Sequence, residues 1–310
     1  MALNKKVNIL LATYNGEKHL IKQLDSLMEQ TYDNMDIYIR DDGSTDNTVA
    51  LINKYIDEHK SSKRIILLPD DGRNLRCPGS FYEIARKCED ADYYGFCDQD
   101  DIWYPNKVQW AVERLEKENS SQMLVYYSAC DYIYEDGTFI RKSPDQNDSL
   151  TLKDVLYYTP GSGFTMMFNE TARRKMILSC DPGEELHDRW ILRGAACFGK
   201  AIYDSRSTAA HVRHEDAVTA NDSGFFQLLR QFVFCELFGD DTKKDKKALQ
   251  YFYRTFGNEL KGEEKAILHL FATDKKSFTI WGRKLFFKYR LRRRLAGEIA
   301  IRIQLFLGII

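Results

Sequence analysis

The chain lacks several features that would assign it to a common class of protein. Its seven cysteines include no CxxC pair, which argues against a zinc site or a disulfide framework and favours a reducing compartment. Basic and acidic residues nearly balance, at 45 against 46, so no overall charge attracts nucleic acid. No apolar run approaches the roughly 20 residues of a membrane-spanning helix, and no GxxxxGK[ST] phosphate loop is present. We therefore expect a cytoplasmic protein that does not bind nucleic acid.

The most informative stretch runs from Tyr93 to Trp103, where an apolar segment ends in Asp98, Asp100 and Asp101. This pattern is typical of a buried strand that delivers carboxylates to the edge of a sheet where α/β proteins bind ligands. Carboxylates this close repel one another unless a cation shares them. Mg²⁺ or Mn²⁺, bridging to a substrate diphosphate, is the usual cation. An acidic turn that caps the helix expected from Pro105 is the alternative.

Strands and helices alternate through the amino-terminal half of the chain. Apolar runs at residues 7–13, 36–40 and 65–68 predict strands, and helical periodicity follows each of them. This order predicts an α/β fold with a mainly parallel sheet flanked by helices. Polar residues follow the first two strands, namely Thr13-Tyr14-Asn15 and Asp41-Asp42. We expect them to meet the acidic cluster at one edge of the sheet, in a nucleotide crevice.

The pattern is less regular beyond the acidic cluster. Residues 161–169 predict a strand entered through glycines, and residues 184–190 open a helix that Gly199 ends. From about Ser223 helical periodicity dominates, so we divide the chain into a catalytic domain (1–220) and a helical carboxy-terminal region (221–310). Between Trp281 and Ile310, eight Lys or Arg and one Glu alternate with apolar residues. This pattern favours a basic amphipathic helix on an anionic membrane surface, or else a helix packed on its own domain.

In their order and spacing, three motifs carry a resemblance to a known family. They are residues 12–16 (ATYNG), 41–46 (DDGSTD) and 98–103 (DQDDIW). Over roughly residues 5–220 the chain resembles the family-2 inverting glycosyltransferases of the GT-A fold. With residues 163–169 and 187–190 it is similar to a bacterial branch that includes many rhamnosyltransferases acting on cell-surface polysaccharides. That branch has a Tyr-Arg-Gln-His segment where this chain has residues 211–214, which keep only the final His.

The resemblance implies a role for each candidate residue. The donor, expected to be dTDP-rhamnose, would be held by Thr13, Tyr14, Asn15, Asp41, Asp42 and Asp98. Asp100 and His214 would hold Mn²⁺ or Mg²⁺, although a lone histidine is also often structural. Asp188 would be the general base, or only a helix cap, and Arg189 and Trp190 would border the acceptor site, although such a tryptophan is often only part of the core.

The implied acceptor is a growing cell-surface polysaccharide or a lipid-linked glycan, at the inner face of the plasma membrane. One alternative is a transferase that uses a UDP-sugar (glucose, galactose or N-acetylhexosamine) for capsule or O-antigen synthesis. Another is a non-catalytic scaffold that binds a nucleotide sugar. A haloacid-type phosphatase also places Asp-x-Asp after a strand, but it needs Thr or Val where this chain has Ile102.

Overall fold

A computed structural model of the chain describes residues 4–59, 63–147, 149–178, 186–213, 241–275 and 277–309. The chain divides into two compact units. The first comprises Met1–Leu150, Gly161–Cys180 and Leu186–Ala217, and the second comprises Thr151–Pro160, Asp181–Glu185 and Val218–Ile310.

The first unit is built on one sheet of nine strands. They are β1 (Val7–Thr13), β2 (Met35–Asp41), β3 (Ile65–Leu67), β4 (Tyr93–Asp98), β5 (Asp101–Trp103), β6 (Met123–Tyr134), β7 (Phe139–Lys142), β8 (Met167–Asn169) and β9 (Gly199–Arg213). Their spatial order is β3-β2-β1-β4-β8-β6-β9-β5, and β7 pairs with β6. Pairing is parallel from β3 to β4 and between β6 and β9, and it is antiparallel at the remaining pairs. The α/β prediction is therefore confirmed.

Helices separate the strands of this unit. They are α1 (Leu20–Met28), α2 (Thr48–Glu58), α3 (Arg76–Lys87), α4 (Lys107–Leu115), α5 (Glu170–Leu178) and α6 (His187–Phe198). On α1, Leu20, Leu24 and Leu27 are buried at helical spacing in the same core as Ile9 of β1 and Ile37 of β2. Because β1 and β2 lie inside a parallel sheet, apolar residues dominate β1 and the centre of β2 at residues 37–39, which made both strands recognisable in the sequence.

Parallel pairing brings the ends of three strands to one edge of the sheet. Thr13 lies opposite Asp41 in the register of β1 and β2. Ala12 lies opposite Asp98 in the register of β1 and β4. The residues that follow these strands therefore share one edge, as the sequence predicted.

Three predicted elements of the first unit differ in detail from the structure. The strand expected over residues 161–169 covers only Met167–Asn169, because residues 163–165 form a 3₁₀ turn. The stretch from Tyr93 to Trp103 is two strands, since β4 ends at Asp98 and β5 pairs with β9 instead. The helix expected from Pro105 begins at Lys107.

The second unit is helical in its described part. Its helices are α7 (Asp241–Phe256), α8 (Gly262–Ala272), α9 (Phe278–Leu285) and α10 (Leu295–Phe306). The single basic helix predicted between Trp281 and Ile310 is wrong, because the chain breaks after Leu285 and resumes a helix at Leu295. Among the described residues, no helix is both long and apolar enough to cross a bilayer.

Candidate active site

A cavity of about 660 Å³ lies at the carboxyl ends of β1, β2 and β4. Five of the predicted site residues line it, namely Thr13, Tyr14, Asp42, Asp98 and Asp100. The segment after β3 and the start of α3 supply Asn74, Arg76, Cys77, Ser80 and Phe81. The size suits a small-molecule ligand. Asn15 and Asp41 do not line this cavity; their side chains form hydrogen bonds within the neighbouring loops instead.

Asp41 holds the turn that follows β2. Its Oδ2 accepts hydrogen bonds from the backbone N–H groups of Gly43 (3.1 Å) and Ser44 (2.8 Å). Its Oδ1 accepts from the Thr13 hydroxyl at 3.0 Å. Gly43 adopts φ 86°, a left-handed conformation that glycine reaches without strain. Asn15 completes the connection, because its Oδ1 accepts from the Thr45 N–H at 2.8 Å.

Asp42 is buried and holds a different segment. It pairs with the buried Arg40 guanidinium. Its Oδ1 accepts from the Leu75 N–H at 2.8 Å, and its Oδ2 accepts from the Arg76 N–H at 2.6 Å. Asp42 therefore fixes the segment after β3 as one wall of the cavity.

Gln99 joins the acidic loop to the loop after β1. Its Oε1 accepts from the Tyr14 N–H at 2.8 Å, and its Nε2 donates to the Tyr14 carbonyl at 3.0 Å. A methyl group on Gly16 would lie 2.3 Å from Oε1 of Gln99, so a larger residue there would displace the Gln99 amide. The two loops are thus held together beside the cavity.

Carboxyl groups crowd together at the acidic loop. Burial, and then the charges of Asp101, Asp100 and Asp188, raise the pKa of Asp98 to about 8. Asp101 is buried, and its Oδ1 lies 2.8 Å from Nδ1 of His211. That hydrogen bond, opposed by burial, raises the pKa of His211. Oδ2 of Asp101 is buried with no hydrogen-bond partner among the described residues.

Helix α6 presents Asp188 in its first turn. Leu186 is the N-cap residue, so Asp188 is not itself the cap. The charge of Asp188 contributes, after larger causes, to the raised pKa values of Asp98 and Cys77. Asp188 therefore lies within electrostatic reach of two side chains that line the cavity.

His187 anchors the start of α6 in the core. Its ring centroid lies 4.1 Å from that of Phe81 and 4.4 Å from that of Phe96. Burial lowers the pKa of His187 to about 3, so the ring is neutral. A methyl group on Gly163 would come within 2.3 Å of its Nε2. The ring is thus closely confined beside Asp188.

The two predicted acceptor residues differ in exposure. Trp190 is buried and Arg189 is partly exposed. Burial of Trp190 favours a role in packing α6 over a direct contact with an acceptor.

Of the two predicted metal ligands, one lies in the described part of the chain. Asp100 lines the cavity, whereas His214 lies outside the described residues. Within the described part of the chain, no three or more His, Cys, Asp or Glu side chains lie together in an arrangement that would hold a metal ion.

Sequence reasoning missed two contributors to the site. The first is the segment of Asn74, Arg76 and Cys77, which follows β3 and was not among the predicted site residues. Its place after a parallel strand was a signal that it would reach the same edge. The second is His211, which the register of β5 and β9 places opposite Asp101. No local pattern marked that pairing.

Comparison with known proteins identifies the family. A family model described as "Glycosyl transferase family 2" matches residues 8–177. The dTDP-rhamnosyl transferase RfbG of Shigella flexneri is 30% identical over 220 residues, which cover 66% of this chain and 72% of that protein. WfaP of Escherichia coli, a UDP-Glc:alpha-D-GlcNAc-diphosphoundecaprenol beta-1,3-glucosyltransferase, is 33% identical over 131 residues, covering 42% of this chain and 47% of that protein.

A solved structure shows the same fold. The crystal structure of S. aureus TarS 1-349 in complex with UDP-GlcNAc aligns with a TM-score of 0.52 at 16% identity, and the alignment covers 98% of this chain and 92% of that chain. The family resemblance and the GT-A fold predicted from the sequence are both confirmed. The chain belongs to glycosyl transferase family 2 and is a nucleotide-sugar glycosyltransferase.

Proposed function

We propose that this enzyme transfers rhamnose from dTDP-rhamnose, with inversion, to a growing cell-surface polysaccharide or a lipid-linked glycan. The proposed donor is supported by the similarity to RfbG, a dTDP-rhamnosyl transferase, across 66% of the chain. The observation that carries the proposal is that the charge of Asp188 reaches Asp98, which lines the cavity with Thr13 and Asp42 at the ends of three strands.

Asp188 is the proposed general base. Inversion requires a carboxylate on the side of the sugar opposite the leaving group, where it takes the proton of the attacking hydroxyl. Such assistance is worth about 10²- to 10⁴-fold. Burial of the neutral His187 ring fixes the first turn of α6 and so holds Asp188 in place. Arg189, partly exposed in the same turn, is the proposed contact with the acceptor.

The donor occupies the cavity in this proposal. Tyr14 is half exposed at its rim and offers a ring for the base. Thr13 and Asp42 shape the nucleoside end, and Asp98 lies near the ribose. Asn15 and Asp41 act indirectly, because their hydrogen bonds hold the loops that carry Tyr14 and Asp42.

Mn²⁺ or Mg²⁺ is the proposed cofactor, held by Asp100 and His214. The carboxylate of Asp100 and the unpartnered Oδ2 of Asp101 are oxygen ligands of the type that a hard divalent cation prefers. When bound, the ion stabilises the negative charge that develops on the departing nucleoside diphosphate.

A UDP-sugar is the second candidate donor. It is favoured by the match to WfaP, a UDP-glucose-dependent enzyme that acts on a diphosphoundecaprenol-linked sugar. That match covers less of the chain than the match to RfbG. The same relative supports a lipid-linked acceptor, and we accordingly place the enzyme at the inner face of the plasma membrane.

The test is release of nucleoside diphosphate from dTDP-rhamnose and from a panel of UDP-sugars, with Mn²⁺, Mg²⁺ or a chelator. Wild type is compared with Asp188→Asn, and with Asp136→Asn as a matched control in an exposed turn. We expect metal-dependent turnover of dTDP-rhamnose, unchanged in the control and about 10²- to 10⁴-fold slower in Asp188→Asn. Nucleotide binding should survive that substitution.

Three outcomes would change the proposal. Turnover of a UDP-sugar alone would replace the donor. Full activity in Asp188→Asn would remove the assigned base. Donor binding without turnover, even with lipid-linked acceptors supplied, would favour a scaffold that only binds nucleotide sugar.

A further inference from the structure

The second unit contains a cavity of its own, of about 630 Å³. Its walls come from α7, from the segment between α8 and α9, from α9, and from the end of α10. None of the residues assigned to sugar transfer lies in it.

Positive charge dominates the lining of this cavity. Lys246, Lys275 and Lys284 line it against one carboxylate, Asp274. Nζ of Lys246 lies 3.1 Å from Oδ1 of Asp274, and Gln250 donates to Oδ2 of the same carboxylate at 2.7 Å. Asp274 is therefore already engaged, and a net positive charge remains.

Lys284 is the buried cation of this cavity. Only 7% of it is exposed, and its Nζ reaches the Thr273 carbonyl only at 3.5 Å. Among the described residues no carboxylate forms an ion pair with it. Burial and the nearby charge of Lys246 lower the pKa of Lys284 to about 8, so it remains largely charged at pH 7. A buried cation of this kind is stabilised by a bound anion.

The mouth of the cavity is apolar and exposed. Phe278 is 85% exposed and Leu307 is 56% exposed, and both line the cavity. Trp281 stacks on Phe278 at 5.4 Å and donates its indole N–H to the Phe306 carbonyl at 3.2 Å. Phe306 itself is 61% exposed. Exposed aromatic residues around a cationic recess suit the boundary between lipid headgroups and acyl chains.

We propose that this cavity binds the phosphate of an anionic phospholipid, with Lys246 and Lys284 on the headgroup and Phe278, Trp281 and Leu307 at the acyl-chain boundary. Charge complementarity selects an anion, and the apolar rim selects one that carries hydrocarbon. This inference deepens the membrane location given in the proposed function. It is tested by binding alone, so its failure is distinguishable from failure of sugar transfer.

The experiment is co-sedimentation of the full chain with phosphatidylcholine vesicles and with vesicles that also contain phosphatidylglycerol. Lys284→Met removes the buried charge at similar volume, and Lys247→Gln is its control, an exposed lysine next to Lys246 that does not line the cavity. Phe278→Ser removes the exposed ring, and Phe139→Ser in the first unit is its control, 60% exposed.

We expect binding to the phosphatidylglycerol vesicles and little binding to phosphatidylcholine alone. Lys284→Met should weaken partitioning by about fivefold or more, and Phe278→Ser by about tenfold. Each control should change it by less than about twofold. Release of nucleoside diphosphate in solution should be the same in all four variants and in wild type.

Several results would overturn the proposal. Equal losses in Lys284→Met and Lys247→Gln would mean that charge acts diffusely and the cavity is not a site. Equal binding to both kinds of vesicle would show that the anionic headgroup does not contribute to binding. Full displacement by inorganic phosphate, with no effect of Phe278→Ser, would assign the cavity to a free anion instead of a lipid.

Discussion

Replacement of Arg40 tests whether the buried charges under the donor cavity organise that cavity. The Arg40 guanidinium pairs with Asp42, and its Nη2 donates to Asp71 Oδ1 at 3.0 Å and to the Arg73 carbonyl at 2.7 Å. Asp42 in turn accepts the backbone N–H groups of Leu75 and Arg76. One buried cation thus holds the segment that carries Asn74 and Arg76 into the cavity.

The expected cost follows from burial. Arg40→Met leaves the Asp42 carboxylate buried without its cation, and breaking such a pair costs about 3–5 kcal/mol. Because Asp42 keeps its two backbone donors, we expect about 3 kcal/mol of lost unfolding free energy. Release of the segment from Asp71 to Arg76 should also weaken nucleotide binding by about tenfold, or ~1.4 kcal/mol.

Urea unfolding followed by circular dichroism measures the first effect, and calorimetric titration with a nucleoside diphosphate measures the second. Arg64→Met is the matched control. The Arg64 side chain is 53% exposed, and its partner Asp36 retains Lys6 at 2.8 Å. Asp36 is buried, but because it keeps this second cation and Arg64 itself is half exposed, we expect Arg64→Met to cost about 1 kcal/mol or less. In Arg40→Met with Asp42→Asn, the loss should shrink, because no uncompensated charge stays buried.

Comparable losses in Arg40→Met and Arg64→Met would refute this reasoning. Normal nucleotide affinity in Arg40→Met would also refute it, because the segment would then hold its place without the buried charge.

Two further substitutions test buried contacts beneath the site. Gly163→Ala places a methyl group against the His187 ring and should lower the free energy of unfolding by ~1–3 kcal/mol and slow transfer. The control is Gly282→Ala in α9, where a methyl group meets no described atom within 4 Å; it should raise the free energy of unfolding by ~0.5–1 kcal/mol. Urea unfolding and turnover measure both effects, and an unaffected Gly163→Ala would contradict the confinement of His187. Burial lowers the pKa of Lys107 from 10.5 to about 7. Between pH 7 and 10.5 the unfolded chain therefore holds a proton on Lys107 that the folded chain has lost, and the free energy of unfolding rises with pH over this range. Relative to wild type, Lys107→Met should remove this rise of up to ~1.4 kcal/mol per pH unit, and parallel stability curves from pH 7 to 10 would show that Lys107 is not shifted.

The parts of the fold that the sequence predicted well are those where one local pattern is sufficient. β1 and β2 are buried in a parallel sheet, and the apolar residues of β1 and of residues 37–39 in β2 allowed both strands to be placed within a residue or two. Asp98 ends the apolar strand β4 and Asp100 follows it, and this pattern predicted their position at the sheet edge. These inferences needed no knowledge of what packs against the strand.

In the run from Gly161 to Asn169, a local hydrogen bond favours a turn over the predicted strand. Its apolar residues predicted a strand, but the Ser162 carbonyl accepts both the hydroxyl of Thr165, at 2.7 Å, and its N–H, at 2.9 Å. Side-chain bonds to nearby backbone stabilise turns at the expense of strands. The tight turn also places Gly163 against the His187 ring, a contact that sequence spacing does not reveal.

The predicted basic helix failed because two charged side chains stabilise a break in it. Oε2 of Glu298 accepts the backbone N–H groups of Leu291 and Arg292, at 2.7 and 2.8 Å. Arg302 donates to the carbonyls of Leu285 and Tyr289, at 2.8 and 2.7 Å. Backbone groups that a continuous helix would satisfy are satisfied here by side chains from α10.

This break changes what the basic residues can do. In one helix they would form a single charged stripe, but most of them lie in the connection between α9 and α10. Arg292 there is already paired with Asp245 at 2.9 Å, and Arg302 is occupied by Glu298 and the backbone. Lys284 differs, because it is buried in a recess with an exposed aromatic rim. Attraction to an anionic membrane should therefore depend on this lysine more than on the number of basic residues nearby.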